Sequence, residues 1–250
     1  VISPERAPLL IQSLDQRLEA IRALSVDATL VLPFDEAMSQ IPAEAFIQGL
    51  AIDIGRISSI CVGAQFAFGQ GRKGNVELLH QLGQELHFVA HGTASVALDG
   101  QTVSSTRIRQ AISGGQLDLA GQMLGREYAL AGKVIRGDQR GRELGFPTVN
   151  LEITGRCTPP NGVYAAHAEV DGEPYRAAVN IGLRPTIKNP EPTLHVEAHL
   201  LDFDEEIYDR ICALTFVGKL REEQSFDSLD ALRTQIEKDV VQARYLFTQL

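Results

Sequence analysis

Residues 162–182 read GVYAAHAEVDGEPYRAAVNIG. The stretch holds two β-rich runs separated by Asp171-Gly172, a dipeptide that is typical of the tight turn in a β-hairpin. Three further runs of the same kind lie on either side, again bounded by glycines and prolines. They are YALAGKVI from Tyr128, LHVEAHLLDF from Leu194 and RICALTFVG from Arg210. Such a series of short strands and turns predicts a closed antiparallel β-barrel.

A helix is predicted to follow the barrel. It should begin at about Ser228, with Asp227 as its N-cap. Apolar residues recur along one face of this helix at positions 229, 232, 236, 240 and 243. A helix with one apolar face buries it against another element, so we expect this one to cover or flank the barrel.

The first half of the chain has a different texture, in which helix-like and strand-like segments alternate. Apolar residues have helical spacing in a segment from Ser13 and in residues 43–51 and 76–86. Strands are predicted for ATLVLPF from Ala28, residues 57–62 and HFVAH from His87. Two short helices should follow from Ser104 and Leu117, the second ending at Gly125. This alternation predicts a parallel sheet covered by helices, an α/β region in front of the β-rich part.

Composition excludes several classes of protein. The formal net charge of −9 is the opposite of the basic footprint that nucleic-acid binders carry, so any phosphate must be held by local groups. No apolar stretch is long enough to cross a membrane, and the opening residues do not look like a leader. Cys61, Cys157 and Cys212 lack paired spacing, which favours reduced thiols and a cytoplasmic protein.

The segment 132–150, GKVIRGDQRGRELGFPTVN, is the most informative for chemistry. Its glycines allow backbone N–H groups to approach phosphate oxygens, and its basic side chains supply positive charge. Thr148 and Asn150 offer two hard oxygen ligands for Mg²⁺ from alternate positions of one extended segment. A basic, turn-rich surface loop is the other reading of the same composition.

The run LHVEAHLL places Glu197 between two histidines. Alternation puts the apolar residues on one face and His195, Glu197 and His199 on the other. Periodicity alone favours a solvent-exposed role for Glu197. The two histidines share a face, but they lie too far apart along a strand for easy chelation of a metal.

Motifs in sequence order resemble the riboflavin kinase family over about residues 125–250. They are Gly-Phe-Pro-Thr-x-Asn at 145–150, GVYA at 162–165, NIGLRPT at 180–186, VEAHLLDFD at 196–204 and FVGKLREEQSFDSLDALRTQI at 216–236. Residues 1–124 resemble the rear of the nucleotidyltransferase domain in bacterial bifunctional riboflavin kinase/FMN adenylyltransferases, also called FAD synthetases. The chain is therefore similar to the bifunctional family.

The resemblance implies a fold and an activity. The expected fold is a partial Rossmann-like nucleotidyltransferase α/β domain over residues 1–123, followed over residues 124–250 by an antiparallel six-stranded β-barrel with a C-terminal helix. The expected activity is transfer of the γ-phosphate of ATP to the 5′-hydroxyl of riboflavin, giving FMN. The implied small molecules are ATP with Mg²⁺, riboflavin, FMN and FAD.

The resemblance also implies roles for single residues of the kinase part. Thr148 and Asn150 would hold the magnesium of MgATP, and Glu197 would be the catalytic base, because a hydroxyl is a poor nucleophile until a carboxylate accepts its proton. The groups implied around the ATP phosphates are Lys133, Gly137, Gly141, Pro147 and Thr148.

The family's Arg-x-Glu-x-x-Phe pattern appears as Arg221, Glu223 and Phe226, which the resemblance assigns to flavin binding. A flat, largely apolar ring suits an aromatic wall with a few fixed polar partners. Without the family, Phe226 reads as a hydrophobic staple for the helix that follows.

In the front part, Ser104, Ser105, Thr106 and Arg109 resemble the nucleotidyltransferase signature Ser-Ser-Thr-x-x-Arg. Hydroxyls and an arginine at a helix start suit triphosphate oxygens, although ordinary helix capping explains the serines equally well. The stretch GAQFAFGQGRKG at 63–74 resembles the family's Gly-x-Asp-Phe-x-Phe-Gly loop, with Gln65 in place of the acidic residue and Ala67 where an arginine is common.

The chain begins after the family's Gly-x-Phe-Asp-x-x-His-x-Gly-His segment. We therefore expect inefficient FAD synthesis and some self-association through uncovered strand edges and apolar surface. Two other functions compete with the kinase. A non-catalytic flavin- or nucleotide-binding module is one, and a dinucleotide-dependent oxidoreductase, suggested by the G-x-G-x-x-G spacing of Gly69, Gly71 and Gly74, is the other. No nucleic-acid or membrane partner is expected.

Overall fold

The computed structural model describes residues 7–137, 140–186 and 189–249. Its helices are α1 (Leu14–Arg22), α2 (Glu36–Ser39), α3 (Ala43–Ile54), α4 (Val76–Leu86), α5 (Ser105–Ser113), α6 (Leu117–Leu124), α7 (Arg140–Glu143) and α8 (Leu229–Phe247). Its strands are β1 (Ser59–Gly63), β2 (Val89–Thr93), β3 (Ala97–Leu98), β4 (Gln101–Thr102), β5 (Ala129–Ile135), β6 (Val149–Glu152), β7 (Gly162–Val170), β8 (Glu173–Thr186), β9 (Asn189–Leu200) and β10 (Ile211–Arg221).

The chain forms two compact units. The front unit comprises residues 1–8 and 27–103, and the barrel unit comprises residues 9–26 and 104–250. Helices α1, α5 and α6 therefore cluster with the barrel, although they precede its first strand. The domain boundary expected between residues 123 and 124 stays a prediction.

In the barrel unit, six strands close into an antiparallel barrel in the order β10-β5-β6-β9-β8-β7. The fold class expected for this part, including its C-terminal helix, is confirmed. Asp171 and Gly172 both have positive φ angles of 53° and 84° and connect β7 to β8, as the hairpin signal predicted. The core is formed by alternate residues of the strands, among them Leu130, Val134, Val179, Ile181, Val196 and Leu214.

Helix α8 packs on the outside of the barrel. Ala243 and Phe247 are buried in a cluster with Ala165 of β7 and Leu201. The N-cap is Ser228, whose hydroxyl accepts a hydrogen bond from the Ala231 N–H, so the prediction of Asp227 as N-cap was wrong by one residue. Ser228 has the extended backbone that a cap needs, and its short side chain reaches back to the first turn.

The front unit is built around β1, α4 and β2. The two strands pair in parallel, and α4 packs its buried Leu79 and Leu82 beside them, as the alternation predicted. The run ATLVLPF at 28–34 does not form the predicted buried strand, since it has no assigned secondary structure and is exposed throughout. A strand needs a neighbour for its N–H and C=O groups, and the β1–β2 sheet described here has only two strands.

Among the described residues, no helix is long and apolar enough to cross a bilayer. The three cysteines are unpaired, with Cys61 exposed and the other two buried. Burial raises the pKa of the Cys212 thiol to about 12, so this side chain stays protonated in the core.

Candidate active site

A cavity of about 250 Å³ opens between the outer wall of the barrel, helix α8 and the segment that leads into β6. It brings together residues from distant parts of the chain that the sequence singled out. These are Gly141, Thr148, Glu197, Arg221, Glu223 and Phe226. Leu144, Phe146, Val163, Leu232 and Ile236 add apolar lining. One pocket thus contains the three implied flavin groups, the implied base and two of the implied nucleotide groups, Gly141 and Thr148.

Glu197 lies in the middle of a polar row that crosses three strands. It is directly opposite Asn150 of β6 on one side and Asn180 of β8 on the other. Residues opposite each other in an antiparallel pair share a face, with Cβ atoms about 4.5–5.5 Å apart. Burial alternates along β9 as predicted, because Val196 and Ala198 are buried whereas Glu197 is partly exposed. The carboxylate therefore belongs to the outer wall that faces the cavity.

Two of the four glycines of the 132–150 segment, Gly137 and Gly141, are packed against the two side chains implied in metal binding. A Cβ on Gly137 would overlap the Asn150 side-chain amide. A Cβ on Gly141 would overlap the Phe146 carbonyl and lie 3.1 Å from Thr148 Oγ1. Asn150 is only 8% exposed. In this structure, the glycines are thus required for seating Asn150 and Thr148.

His199 fixes the backbone next to Thr148. Its Nδ1 donates a hydrogen bond of 2.8 Å to the Pro147 carbonyl, and its ring meets Phe146 edge-on at 5.5 Å between centroids. Pro147 itself does not line the 250 Å³ cavity. His199 thus contacts both residues that precede Thr148. Among the described residues, no group of three His, Cys, Asp or Glu side chains is arranged to hold a metal.

Arg221 is anchored to helix α8 by a buried carboxylate. Its Nε lies 2.9 and 3.1 Å from the two Asp239 oxygens, and its Nη2 donates to Asp239 Oδ2 at 2.8 Å. The guanidinium carbon lies 5.8 Å from the centre of the Phe226 ring. Glu223 accepts a hydrogen bond of 3.1 Å from Asn161 and covers Gly182, where a Cβ would overlap its carboxylate.

Lys133, which the resemblance places near the ATP phosphates, lies elsewhere in this structure. Its Nζ forms a 2.6 Å ion pair with Asp209, and this hydrogen bond raises the pKa of Lys133 and lowers that of Asp209. Its neighbours are Glu152 and Ile211 on the adjacent strands. The structure does not bring Lys133 together with Thr148 and Glu197.

A second, smaller cavity of about 60 Å³ shares Thr148 with the first. Arg142 and Pro147 line it from one side, and residues 203–208, between β9 and β10, line it from the other. Arg136 lies over the Tyr208 ring at 4.8 Å. Thr148 therefore lies between the two cavities. One is lined by the residues implied in flavin binding, and the other is lined by the 203–208 loop.

The residues implied as the adenylyltransferase remnant lie at the start of α5 in the barrel unit. Ser104 is the N-cap and accepts a hydrogen bond of 3.2 Å from the Arg107 N–H. Ser105 and Thr106 are exposed in the first turn, and Arg109 Nε donates to the Leu9 carbonyl at 2.6 Å. Ser104 thus caps helix α5, as the helix-capping interpretation predicted.

The glycines that spell G-x-G-x-x-G have a packing role in the front unit. Gly69 and Gly74 lie so close to Ala43 of α3 that neither has space for a Cβ. Phe68 and Gly74 also bridge to each other, which folds the loop back on itself. Packing therefore explains two of the three glycines without a bound dinucleotide.

Sequence reasoning missed three features of the site: Asp239, the 203–208 loop and the contact of His199 with Pro147. A signal existed for Asp239. It falls on the same face of α8 as Leu232, Ile236 and Ala243, and a carboxylate in an apolar stripe is seldom buried unless it is paired. The loop gave no signal of this kind apart from its first two residues, which end the motif VEAHLLDFD at 196–204.

The donor set suits magnesium. Thr148 offers a hydroxyl oxygen and Asn150 an amide oxygen, and the Glu197 carboxylate lies on the strand next to Asn150. Mg²⁺ prefers such hard oxygen ligands and is bound by few protein groups together with substrate phosphates. The residues present therefore fit a magnesium ion that arrives with a nucleotide.

Comparisons with known proteins show which family the chain resembles. A family model described as riboflavin kinase matches residues 124–247, and one described as FAD synthetase matches residues 1–107. The bifunctional riboflavin kinase/FMN adenylyltransferase of Pseudomonas fluorescens is 37% identical over 98% of this chain and 78% of its own length. The protein with the same description from Escherichia coli K12 is 36% identical over 99% of this chain and 79% of its own.

Among solved structures, the crystal structure of a macrolide-efflux protein from Streptococcus pneumoniae resembles this chain with a TM-score of 0.76 at 28% sequence identity. The match covers 94% of this chain and 76% of that one. The likeness therefore extends over both units of the fold.

Proposed function

The chain belongs to the family of bifunctional riboflavin kinase/FMN adenylyltransferases, and from this membership we propose that it transfers the γ-phosphate of ATP to the 5′-hydroxyl of riboflavin, giving FMN. One observation carries the proposal beyond family membership. Thr148, Glu197 and Arg221, which are far apart in sequence, line one cavity. The reaction requires a phosphate-binding group, a carboxylate base and a surface that binds the flavin ring, all within one site.

The flavin ring is proposed to lie against Phe226 and the apolar lining of the cavity, with Arg221 and Glu223 at its edge. A flat ring buried between an aromatic side chain and aliphatic residues such as Leu232 loses contact with water. The ribityl chain then extends along the barrel wall toward Glu197. This placement leaves the 5′-hydroxyl near the polar row formed by Asn180, Glu197 and Asn150.

Glu197 is proposed to accept the proton of the 5′-hydroxyl as this oxygen bonds to the γ-phosphorus and the bond from the γ-phosphorus to the bridging oxygen breaks, releasing ADP. A general base within hydrogen-bond reach of the hydroxyl contributes about 10²- to 10⁴-fold to the rate. Thr148 and Asn150 would hold Mg²⁺, which, when bound with ATP, supplies positive charge to the phosphate oxygens. The backbone around Gly137 and Gly141 and the wall shared with the second cavity would orient the triphosphate.

The second cavity is proposed to take the rest of the nucleotide. It adjoins Thr148, and Arg142 offers a cation at its edge, 3.6 Å from the Glu206 carboxylate. The 203–208 loop would have to yield some space, because about 60 Å³ is too small for a nucleoside. Lys133 would take part only after a rearrangement away from Asp209.

The proposal is tested by incubating the chain with riboflavin and MgATP and separating riboflavin, FMN and FAD by chromatography. We expect FMN and ADP to form in equal amounts and only with divalent metal present. Flavin binding without turnover would instead favour the non-catalytic module. No binding and no turnover would overturn the proposal.

The second activity of the family, adenylylation of FMN to FAD, is proposed to be weak in this chain. The match of residues 1–107 to the FAD synthetase model favours the activity, whereas Gln65 and Ala67 stand where family members carry an acidic residue and commonly an arginine. Supplying FMN and MgATP tests this second activity separately. Rapid FAD formation would show that the two substitutions are tolerated.

A further inference from the structure

Helix α8 holds a buried carboxylate at the edge of the candidate flavin pocket. Asp239 is 4% exposed, lines the 250 Å³ cavity and forms an ion pair of 2.8 Å with Arg221. Gln235, one turn earlier on the same helix, donates to Asp239 Oδ1 at 2.9 Å. Burying a carboxylate is costly unless it is paired and hydrogen-bonded, and Asp239 satisfies both conditions.

The pairing fixes the orientation of the Arg221 guanidinium. Its Nε and Nη2 face the two oxygens of Asp239, while its Nη1 donates to the Glu222 carbonyl at 2.9 Å. A planar fork held on one side by a carboxylate and on the other by a carbonyl cannot turn about its long axis. These bonds use three of the five N–H groups and leave two for other acceptors.

The same pairing joins two walls of the cavity. Arg221 ends strand β10, Asp239 belongs to α8, and the guanidinium stacks near Phe226 in the segment between them. The orientation of Arg221 beside Phe226 thus depends on a helix residue that the Arg-x-Glu-x-x-Phe motif does not contain.

We propose that Asp239 is a positioning residue for flavin binding. It holds the Arg221 guanidinium flat against the Phe226 side of the pocket. The two remaining N–H groups of Arg221 are then directed to ring acceptors of the flavin. The inference rests on the proposed riboflavin kinase function. We expect the effect to fall on the flavin, because Asp239 pairs with Arg221 and does not line the second cavity, where the rest of the nucleotide is proposed to bind.

The test compares Asp239→Asn and Asp239→Glu with Glu237→Gln as a matched control. Glu237 lies on the same helix, but its carboxylate is exposed and pairs with Arg233 at 3.4 Å. Riboflavin Kd is read from quenching of flavin fluorescence, and KM is measured for riboflavin and for ATP. We expect Asp239→Asn to raise the riboflavin Kd and KM by about 10- to 100-fold, with an unchanged KM for ATP. Asp239→Glu should recover much of the loss, and Glu237→Gln should have no effect.

A second variant separates positioning from a purely structural role. The double substitution Arg221→Met with Asp239→Leu replaces the ion pair by apolar side chains, a change that commonly preserves folding. We expect this variant to keep a wild-type Tm and to bind riboflavin as weakly as Asp239→Asn. If Asp239→Asn fails to fold, wild-type riboflavin affinity in the double variant still overturns the inference.

Wild-type riboflavin affinity in either variant would overturn the inference, as would a parallel rise of both KM values that follows Tm. Failure of the proposed function has a different signature, since the unmodified chain would then bind no riboflavin and form no FMN.

Discussion

Asn150 and Glu197 lie directly opposite each other on the neighbouring strands β6 and β9. One is implied as a metal ligand and the other as a proton acceptor, and they are 47 positions apart in the numbering of the chain. Their pairing places the residue implied in metal binding beside the proposed base, although Glu197 lines the 250 Å³ cavity and Asn150 does not.

Glu197→Gln should slow FMN formation by about 10²- to 10⁴-fold, because the amide cannot accept the hydroxyl proton. Riboflavin affinity should stay at the wild-type level, since the side chain keeps its size. Single-turnover kinetics with saturating substrates give the rate of the chemical step. Glu152→Gln, on β6 but outside the cavity, is the control, and an unchanged rate in Glu197→Gln would remove this residue from the mechanism.

Thr148→Ala and Asn150→Ala should each weaken MgATP. Hydrogen bonds to charged groups contribute about 1.5–3 kcal/mol, so KM for MgATP should rise about 10- to 150-fold. Titrations of ATP at several magnesium concentrations provide the measurement, with Thr154→Ala as a control outside both cavities. If both variants keep a normal dependence on magnesium and ATP, the metal is held by other residues.

Gly137→Ala should impair catalysis by displacing Asn150, whose amide occupies the space of the added methyl group. Overpacking of this kind costs about 1–3 kcal/mol, which corresponds to a loss of about 5- to 150-fold in kcat/KM for MgATP. Gly49→Ala, where a Cβ has nothing within 4 Å, is the matched control. Full activity of Gly137→Ala would mean that Asn150 is free to move without consequence.

Arg244→Met should lower Tm in a pH-dependent way. The Arg244 guanidinium donates to both oxygens of Asp202 at 2.8 and 2.7 Å and holds the pKa of that carboxyl below its ordinary value of 3.8. A carboxyl whose pKa is lower in the folded state stabilises the fold above its unfolded pKa, and the contribution is lost as pH falls through the folded value.

The Tm gap between wild type and Arg244→Met should therefore be constant near neutral pH and close as the pH drops below 3.8. It should also shrink in high salt, because both side chains are exposed. Arg233→Met, which removes an exposed pair within α8, is the comparison. A gap that persists at the lowest pH would point to lost packing of the arginine stem.

The front unit should associate in a concentration-dependent manner. Leu30 and Ile52 are 65% and 80% exposed, and the β1–β2 sheet has open edges among the described residues. Replacing Leu30 by Gln should weaken association in sedimentation velocity runs over a dilution series, whereas Val241→Gln on α8 should not. A single monomeric species at every concentration would contradict this prediction.

The barrel was predictable because its signals are local. Alternation along β9 gave the faces of Val196 and Glu197, and Asp171-Gly172 gave a hairpin turn, both of which the structure shows. The strand expected at 28–34 failed for a non-local reason. An apolar, β-rich run becomes a strand only if the sheet supplies a partner, and periodicity carries no information about that partner.

The same division holds within the site. Motif spacing identified Thr148, Glu197 and Arg221, but their presence in one cavity depends on the closure of six strands and on where α8 packs. Lys133 was implied near the phosphates together with Gly137, yet it pairs with Asp209, which precedes β10, the neighbour of β5 on the side opposite β6. The neighbours that a strand residue meets depend on register, and register is set by the whole barrel.

By itself, the sequence determined the family and the order of the two parts, an α/β part followed by a barrel. It also determined which residue types are available for phosphate, metal and flavin chemistry. These features are readable because glycines, turn residues and alternating apolar positions act over short distances. Only the tertiary structure decided which of those residues meet. Three contacts show this: the polar row of Asn150, Glu197 and Asn180, the packing of Gly137 on Asn150, and the pairing of Arg221 with Asp239. The residues in contact are 13 to 47 positions apart in the sequence. They meet only once the strands are in register and the last helix packs on the barrel.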